Sequence, residues 1–230
     1  MQLFFEPDIA RGYLSEEESQ HAVKVLRLQS GDEISIIDGR GGLHQAKITV
    51  PYPQKCGFSI LESISAYGKR NYKLHIAIAP TKNIDRFEWF VEKAVEVGID
   101  EITPLICRFS ERKVLKTERI EKIIVSASKQ SLKAYVPKLN ETISFADFLK
   151  QNHDQSACFI AHCYDNEKHE FNSLIQTYDD ILILIGPEGD FSESEVKDSL
   201  AKGFKAVSLG SSRLRTETAG VVACTLAAFK

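Results

Sequence analysis

Two glycine-containing segments near the end of the chain carry residues suited to binding a small molecule. The first is Gly186-Pro187-Glu188-Gly189, which follows an uninterrupted apolar run. The second begins at Leu209-Gly210 and continues to Leu214-Arg215-Thr216-Glu217. Glycine allows positive φ and a close approach of the backbone to a ligand. We therefore expect backbone groups of both segments to hold a small molecule.

The type of ligand is narrowed by signatures that the sequence lacks. Neither Gly-x-Gly-x-x-Gly nor Gly-x-x-x-x-Gly-Lys-Ser/Thr occurs, so the usual pyrophosphate and P-loop motifs are missing. A nucleoside-like ligand without a polyphosphate is favoured over NAD or ATP, and a nucleotide-dependent oxidoreductase is disfavoured.

Each glycine segment should connect a strand to a helix. The run 181–185 is apolar throughout, which predicts a strand buried on both faces. Ser192 and Glu195 have capping-box spacing and predict a helix start. The order repeats with a strand at 206–209 and a helix at about 217–229. We predict two adjacent strands whose carboxyl ends carry the loops, at the usual ligand crevice of an open α/β sheet.

The N-terminal part of the chain has a different pattern. Short strand-like runs such as 33–37 and 45–50 are separated by Gly, Asp and Pro turns. Only residues 15–26 have helical spacing there. After a polar linker near residues 68–71, strands and helices alternate, which predicts a mostly parallel α/β sheet.

One helix of the second part can be predicted in detail. It should be capped by Asp85 and end at Gly98. Trp89 lies within it and is expected to pack rather than to stack on a base. Its buried face should consist of Phe87, Phe90, Val91, Ala94 and Val95.

Five groups of residues, in order along nearly the whole chain, carry a family resemblance. They are Gly186-Pro187-Glu188-Gly189 with Phe191-Ser192 and Glu195; Leu209-Gly210 with Leu214 to Ala219; His21 to Arg27 with Gly31-Asp32; Lys82 with Glu92 to Gly98; and Gln130-Ser131 with Val136-Pro137. In these groups the chain resembles the ribosomal RNA small-subunit methyltransferase E family of the SPOUT superfamily.

The resemblance implies a fold, a reaction and partners. Residues 1–70 would form a PUA-like β-barrel that binds RNA, and residues 71–230 an α/β methyltransferase domain with a trefoil knot. The enzyme would be a homodimer that methylates N3 of a uridine in 16S ribosomal RNA, free or in the small subunit, with S-adenosylmethionine as cofactor. Asp190 stands where the family usually has a second glycine, and Lys133 where it has arginine.

Two alternatives remain open. One is another SPOUT methyltransferase with a different target base. The other is an RNA-binding ribosome-assembly factor without catalysis, for which Asp190 is the reason.

The implied chemistry selects catalytic candidates. Uracil N3 becomes a good nucleophile only after it loses its proton, so a base or a cation that stabilises the anion is needed. Arg215 is the candidate cation, unless it forms an ion pair with Glu188 or Glu217. Glu217 is the candidate base, although an acid in a first helical turn is also favoured by the helix dipole.

Cofactor contacts should come mostly from the backbone of the two loops. Tight turns alone would also explain the glycines. His162 follows a third buried strand and could border the pocket, although a core or surface histidine is favoured. The cofactor-binding residues predicted are Ile185, Gly186, Gly189, Ser208, Leu209 and Gly210, with Leu214 and Thr218 packing nearby.

The charge distribution allows an RNA-binding face despite a net charge of −3. Residues 71–138 hold 13 Lys and Arg against 9 Asp and Glu, whereas residues 139–203 hold 4 against 13. Solvated helix faces are the alternative explanation. Lys24 and Arg27 should share a helix face. The RNA contacts predicted are Lys24, Arg27, Lys82, Arg86, Arg108 and Arg112.

Composition argues against other classes of protein. No apolar run approaches a membrane span and the first residues do not resemble a signal peptide, so we expect a cytoplasmic protein without a membrane segment. Five cysteines without a CxxC pair argue against a disulfide framework. Cys158, His162, Cys163 and His169 lie close in sequence but lack zinc spacing, so no metal is expected.

Overall fold

The computed structural model describes residues 2–153, 156–165 and 167–230, and the chain forms two units. The N-terminal unit contains the residues up to Lys69 together with Val125–Val136. The C-terminal unit contains Arg70–Ile124 and Pro137–Lys230. The sequence-based division at residue 70 did not anticipate that Val125–Val136 groups with the first unit.

The N-terminal unit is built on a sheet that, within residues 2–64, has four strands in the order β1-β2-β3-β4. Its first two strands are parallel, and the other neighbours are antiparallel. The strands are β1 (Leu3–Phe5), β2 (Glu33–Ile37), β3 (Leu43–Val50) and β4 (Gly57–Ile64). A cluster that includes Phe4, Ile34, Ile36 and Phe58 forms the core.

The helical segment of this unit differs from the prediction. A 3-10 turn covers Ile9–Arg11, helix α1 covers Glu16–Gln20, and the chain continues as a π-helix over His21–Val25. Lys24 and Arg27 do not share a regular helix face, because the helix ends at Val25 and Arg27 has a left-handed φ of 56°. Both side chains are nevertheless exposed.

The C-terminal unit contains a parallel sheet, as predicted. Over its described residues the order is β10-β12-β9-β11-β5-β6-β7, with β8 paired to β6, and every pair is parallel. Its strands are β5 (Lys73–Ile78), β6 (Glu101–Ile106), β7 (Lys138–Leu139), β8 (Ile143–Ser144), β9 (Ala157–Ala161), β10 (His169–Glu170), β11 (Asp180–Ile185) and β12 (Lys205–Ser208). The strands before the two glycine loops are not adjacent, because β9 lies between them.

The helices that follow the strands are α2 (Ile84–Val97), α3 (Thr117–Gln130), α4 (Phe145–Phe148), α5 (Phe171–Ile175), α6 (Glu193–Ala201) and α7 (Thr216–Ala228). The buried face of α2 is the predicted one, and Gly98 ends the helix. The cap is Asn83 rather than Asp85, because the Asn83 side chain accepts the Asp85 N–H. Trp89 is 44% exposed on the opposite face of α2 and does not pack in the core.

Helices α2 and α7 approach each other closely at a glycine. A Cβ added to Gly220 would lie 2.4 Å from Cε2 of Phe90 and 3.1 Å from Cδ1 of Ile78. Phe90 and Ile78 are fully buried. The start of α7, which carries Thr216 and Glu217, is therefore held against α2 and the sheet by tight packing.

Candidate active site at the carboxyl ends of three strands

Three neighbouring strands of the C-terminal unit end at the same level. Ala161 at the end of β9 is paired with Ile185 of β11 on one side and with Val207 of β12 on the other. The loops that follow therefore leave one edge of the sheet side by side. They surround a cavity of about 730 Å³, within the usual size range of small-molecule pockets.

The first loop is fixed by hydrogen bonds at Gly186 and at Glu188. The Gly186 carbonyl accepts the Thr216 hydroxyl at 3.0 Å, which ties the loop to the start of α7. The Glu188 carboxylate accepts the N–H of Lys82 at 2.9 Å. Glu188 thus orients the loop through a backbone amide. A Cβ at Gly186 would lie 3.1 Å from Phe191, so a larger residue here would need Phe191 to shift.

The second loop is held by its own serine. The Ser208 hydroxyl donates to the Gly210 carbonyl at 2.9 Å and accepts the Gly210 N–H at 3.2 Å. Gly210 has φ of +133°, a conformation that side chains rarely adopt, and an added Cβ would meet nothing within 4 Å. The glycine is required here by backbone conformation and not by crowding.

The third loop, after β9, forms another wall of the pocket, so His162 borders it rather than lying only in the core or at the surface. His162 lines the cavity although only 7% of the residue is exposed. The following amide, Cys163 N–H, donates to Oδ2 of Asp190 at 2.8 Å, while Oδ1 of Asp190 accepts the Phe191 N–H at 2.8 Å. Asp190 has a left-handed φ of 66°, a region that aspartate tolerates better than most residues. Its carboxylate joins the first loop to the third.

Six of the eight predicted cofactor residues line this cavity. They are Ile185, Gly186, Ser208, Leu209, Gly210 and Leu214. Gly189 and Thr218 are not among the residues of its wall. Gly189 instead approaches Phe109, whose Cβ would lie 3.0 Å from an added Cβ.

The two catalytic candidates occupy different positions. Arg215 lines the cavity and is exposed, and its side chain makes no hydrogen bond or ion pair with the residues that the structure describes. Glu217 is 7% exposed and is not part of the wall. Its Oε1 lies 3.9 Å from Nε of Arg86, which does line the cavity, and its buried Oε2 has no partner within the described ranges. The acid is therefore paired with Arg86 and not with Arg215.

The other predicted RNA contacts of this unit lie outside the cavity wall. Lys82 is exposed and forms an ion pair with Glu111 at 2.7 Å. Arg112 donates to the carbonyls of Thr81 and Lys82, at 3.0 and 2.7 Å, and so supports the backbone there. Arg108 is exposed next to the ring of Phe109.

Comparisons with known proteins agree with this architecture. Residues 68–228 match the RNA methyltransferase domain family, and residues 14–56 match the RNA methyltransferase PUA domain family. Ribosomal RNA small subunit methyltransferase E of Rickettsia conorii is 30% identical over 218 residues, which cover 91% of this chain and 86% of that protein. The chain belongs to the ribosomal RNA small-subunit methyltransferase E family. It is an RNA methyltransferase that depends on S-adenosylmethionine.

Solved structures of similar proteins share the fold of this methyltransferase. A probable rRNA-methyltransferase from Porphyromonas gingivalis is 39% identical, with a TM-score of 0.90 and full coverage of both chains. Ribosomal RNA small subunit methyltransferase E of Neisseria gonorrhoeae, solved with bound S-adenosylmethionine, is 27% identical with a TM-score of 0.85, over 97% of this chain and 95% of that one.

Other kinds of site are not found in the described part of this methyltransferase. Across residues 2–153, 156–165 and 167–230, no three His, Cys, Asp or Glu side chains gather where they could hold a metal ion. None of the helices in those ranges has the length and hydropathy needed to cross a membrane.

Proposed function

We propose that the protein methylates N3 of a uridine in 16S ribosomal RNA, with S-adenosylmethionine as the methyl donor. The observation that carries this proposal is the position of Arg215 on the wall of a cavity lined by backbone of three strand-end loops. A guanidinium that has no side-chain partner among the described residues, beside a cavity of about 730 Å³, suits an RNA substrate and the anion that forms when uracil N3 loses its proton. The homologues named for small-subunit ribosomal RNA support this choice of RNA.

The cavity fits the cofactor. It offers backbone groups of Gly186, Leu209 and Gly210, apolar side chains such as Ile185 and Leu214, and about 730 Å³ of space. S-adenosylmethionine supplies an electrophilic methyl group there. The loop that ends at Asp190 is compatible with it, because both carboxylate oxygens of Asp190 accept backbone amides. This removes the reason for considering an assembly factor without catalysis.

Arg215 and Glu217 have complementary roles in the proposal. Arg215 stabilises negative charge on a uracil carbonyl oxygen. Glu217 accepts the N3 proton on Oε2, which is buried and has no partner among the described residues. In the conformation observed, Glu217 holds Arg86 at the cavity wall, where Arg86 can contact an RNA phosphate. In the N-terminal unit, the exposed cations Lys24 and Arg27 provide phosphate contacts of their own. We propose a cytoplasmic homodimer.

Product analysis tests this function. Purified protein is incubated with S-adenosylmethionine carrying a labelled methyl group and with either 16S transcript or isolated small subunits, and the RNA is digested to nucleosides. Label in 3-methyluridine is expected. Label in another nucleoside would refute the N3 assignment, and absence of label from both RNAs, despite cofactor binding, would refute the ribosomal substrate. Light scattering on the same sample measures the dimer.

A further inference from the structure

A buried histidine at the centre of the three loops is unexplained by the fold. His162 is 7% exposed, and both Nδ1 and Nε2 are inaccessible to water. Neither nitrogen has a hydrogen-bond partner among residues 2–153, 156–165 and 167–230. An unpaired buried polar group costs roughly 1–3 kcal/mol. Such a group in a folded protein calls for a ligand or another explanation.

The position of the ring points to a ligand. His162 directly follows Ala161, whose neighbours Ile185 and Val207 precede the two glycine loops. The residue is part of the cavity wall, so its unpaired side chain lies beside the space that a ligand would fill.

The protonation state of the ring restricts the partner. Burial, and secondarily the nearby Lys168, lowers the pKa of His162. The ring is therefore neutral near pH 7 and offers one N–H donor and one acceptor. The side chains at the surrounding strand ends are those of Ala161, Ile185 and Val207, which are uncharged. Lys168 donates to the carbonyls of His162 and Tyr164. Asp190 acts on the ring pKa in the opposite sense to Lys168. A neutral ring with one donor and one acceptor suits a group that carries both donors and acceptors, as ribose hydroxyls and the adenine edge do.

We propose that His162 hydrogen-bonds the nucleoside part of the cofactor. The proposal rests on the proposed function, since it requires S-adenosylmethionine in this cavity. It assigns a side-chain contact to a site whose other contacts come mainly from the backbone. The ring has no hydrogen-bond partner among the described residues of the free protein and would gain one when the cofactor binds. His162 should therefore contribute to cofactor affinity and not to the methyl-transfer step itself.

The test is calorimetric titration with two probes, S-adenosylhomocysteine and 5′-methylthioadenosine, which share the nucleoside and differ in the amino-acid end. His162→Phe should weaken binding of both probes at least tenfold and to the same extent. His162→Gln, which restores a donor and an acceptor, should recover part of the loss. His169→Phe is the matched control, because His169 is exposed and is not part of the cavity wall, and it should bind as the wild type does.

Each outcome decides a different question. Unchanged binding by His162→Phe, or a loss confined to S-adenosylhomocysteine, would overturn the contact while leaving the proposed function intact. Failure of the wild type to bind either probe would overturn the cofactor site itself.

A second measurement on the wild type covers the case in which His162→Phe does not fold. The ring nitrogens of His162, assigned in a ¹⁵N-histidine spectrum by comparison with His162→Gln, should shift when S-adenosylhomocysteine is added. Unshifted resonances at saturation would overturn the contact.

Discussion

The carboxylate of Asp190 accepts the backbone N–H of Cys163, with Oδ2 and N 2.8 Å apart. The two residues belong to different loops, so one hydrogen bond connects the first and third walls of the cavity. Asp190 has a left-handed φ of 66°, a conformation that glycine adopts more readily than aspartate. Its carboxylate supplies a link between the loops that a glycine at this position would lack.

We expect Asp190→Gly to loosen that link. The variant gains from the relief of a left-handed conformation, about 1–2 kcal/mol, and loses two hydrogen bonds to a charged acceptor, each about 1.5–3 kcal/mol. The net result should be a loss of roughly 1–5 kcal/mol in the free energy of unfolding and several-fold weaker binding of S-adenosylhomocysteine. Urea unfolding and calorimetry measure the two effects. A variant as stable as the wild type, with equal affinity, would show that the link has no energetic role.

Gly210→Ala, compared with a second strained glycine outside the cavity, tests whether Gly210 contacts the cofactor. The φ of +133° makes any side chain strained, so the variant should lose about 1–3 kcal/mol of stability or shift its loop. Because Gly210 lines the cavity, cofactor affinity should fall at least tenfold. Gly203→Ala is the matched control: its φ is +88°, an added Cβ meets nothing within 4 Å, and it lies outside the cavity wall. Equal affinities in the two variants would argue against a cofactor contact at Gly210.

Gly220→Ala should destabilise the protein even though alanine is the better helix former. Alanine gains about 1 kcal/mol from helix propensity, but its Cβ would lie 2.4 Å from the buried ring of Phe90, and overpacking of this kind costs about 1–3 kcal/mol. We expect a net loss of about 1 kcal/mol in urea unfolding. Combining the change with Phe90→Leu should cost less than the sum of the two single changes. Strict additivity would contradict the close approach of α2 and α7.

Arg215→Ala should slow methyl transfer without weakening the cofactor complex. Loss of a cation that stabilises developing charge typically lowers the rate about 100-fold. Single-turnover rates with labelled cofactor and RNA give the first quantity, and calorimetry gives the second. Lys197→Ala, on an exposed position of α6, controls for the removal of a positive charge. An unchanged single-turnover rate would remove Arg215 from the catalytic group.

The stability of the protein should fall as the pH is lowered from 7.5 to 5. His75 is buried against Thr103 and Phe148, and burial lowers its pKa from 6.5 to about 4. The unfolded chain therefore binds a proton in this range that the folded protein does not, which destabilises the fold by about 2 kcal/mol at pH 5. Urea unfolding of the wild type and of His75→Gln at both pH values measures this contribution. The variant should show a smaller difference; an equal difference would place the sensitivity elsewhere.

Local features of the site were predictable because they depend on neighbouring residues. The capping box of Ser192 and Glu195 forms as predicted, and the apolar run 181–185 is a buried strand. The predicted N-cap of α2 was wrong by two residues. Asn83 and Asp85 are both good N-cap residues, and the sequence does not tell at which of them the helix begins.

The arrangement of the three loops was not predictable in the same way. The placement of β9 between β11 and β12 depends on packing between distant segments. The sequence allowed His162 to border the pocket but favoured a core or surface histidine, and it is the strand order that brings the residue to the cavity wall. The pairing of Glu217 with Arg86 likewise joins residues far apart in sequence. Two predicted cofactor residues, Gly189 and Thr218, are not part of the cavity wall, although each is one position from a residue that lines it. A prediction from motifs does not distinguish neighbouring residues at this precision.

The N-terminal unit includes a later segment of the chain, Val125–Val136, and this has a consequence for biosynthesis. Ala134 and Val136 pack with Ile37 and Leu43, and Lys129 pairs with the buried Glu18. The ribosome delivers the chain from its N-terminus, so this unit cannot complete its core until residue 136 has emerged, after a 55-residue stretch of the other unit, Arg70–Ile124, has already been made. A nascent chain stalled at residue 70 should remain open to protease, whereas one that has released residue 136 should become resistant.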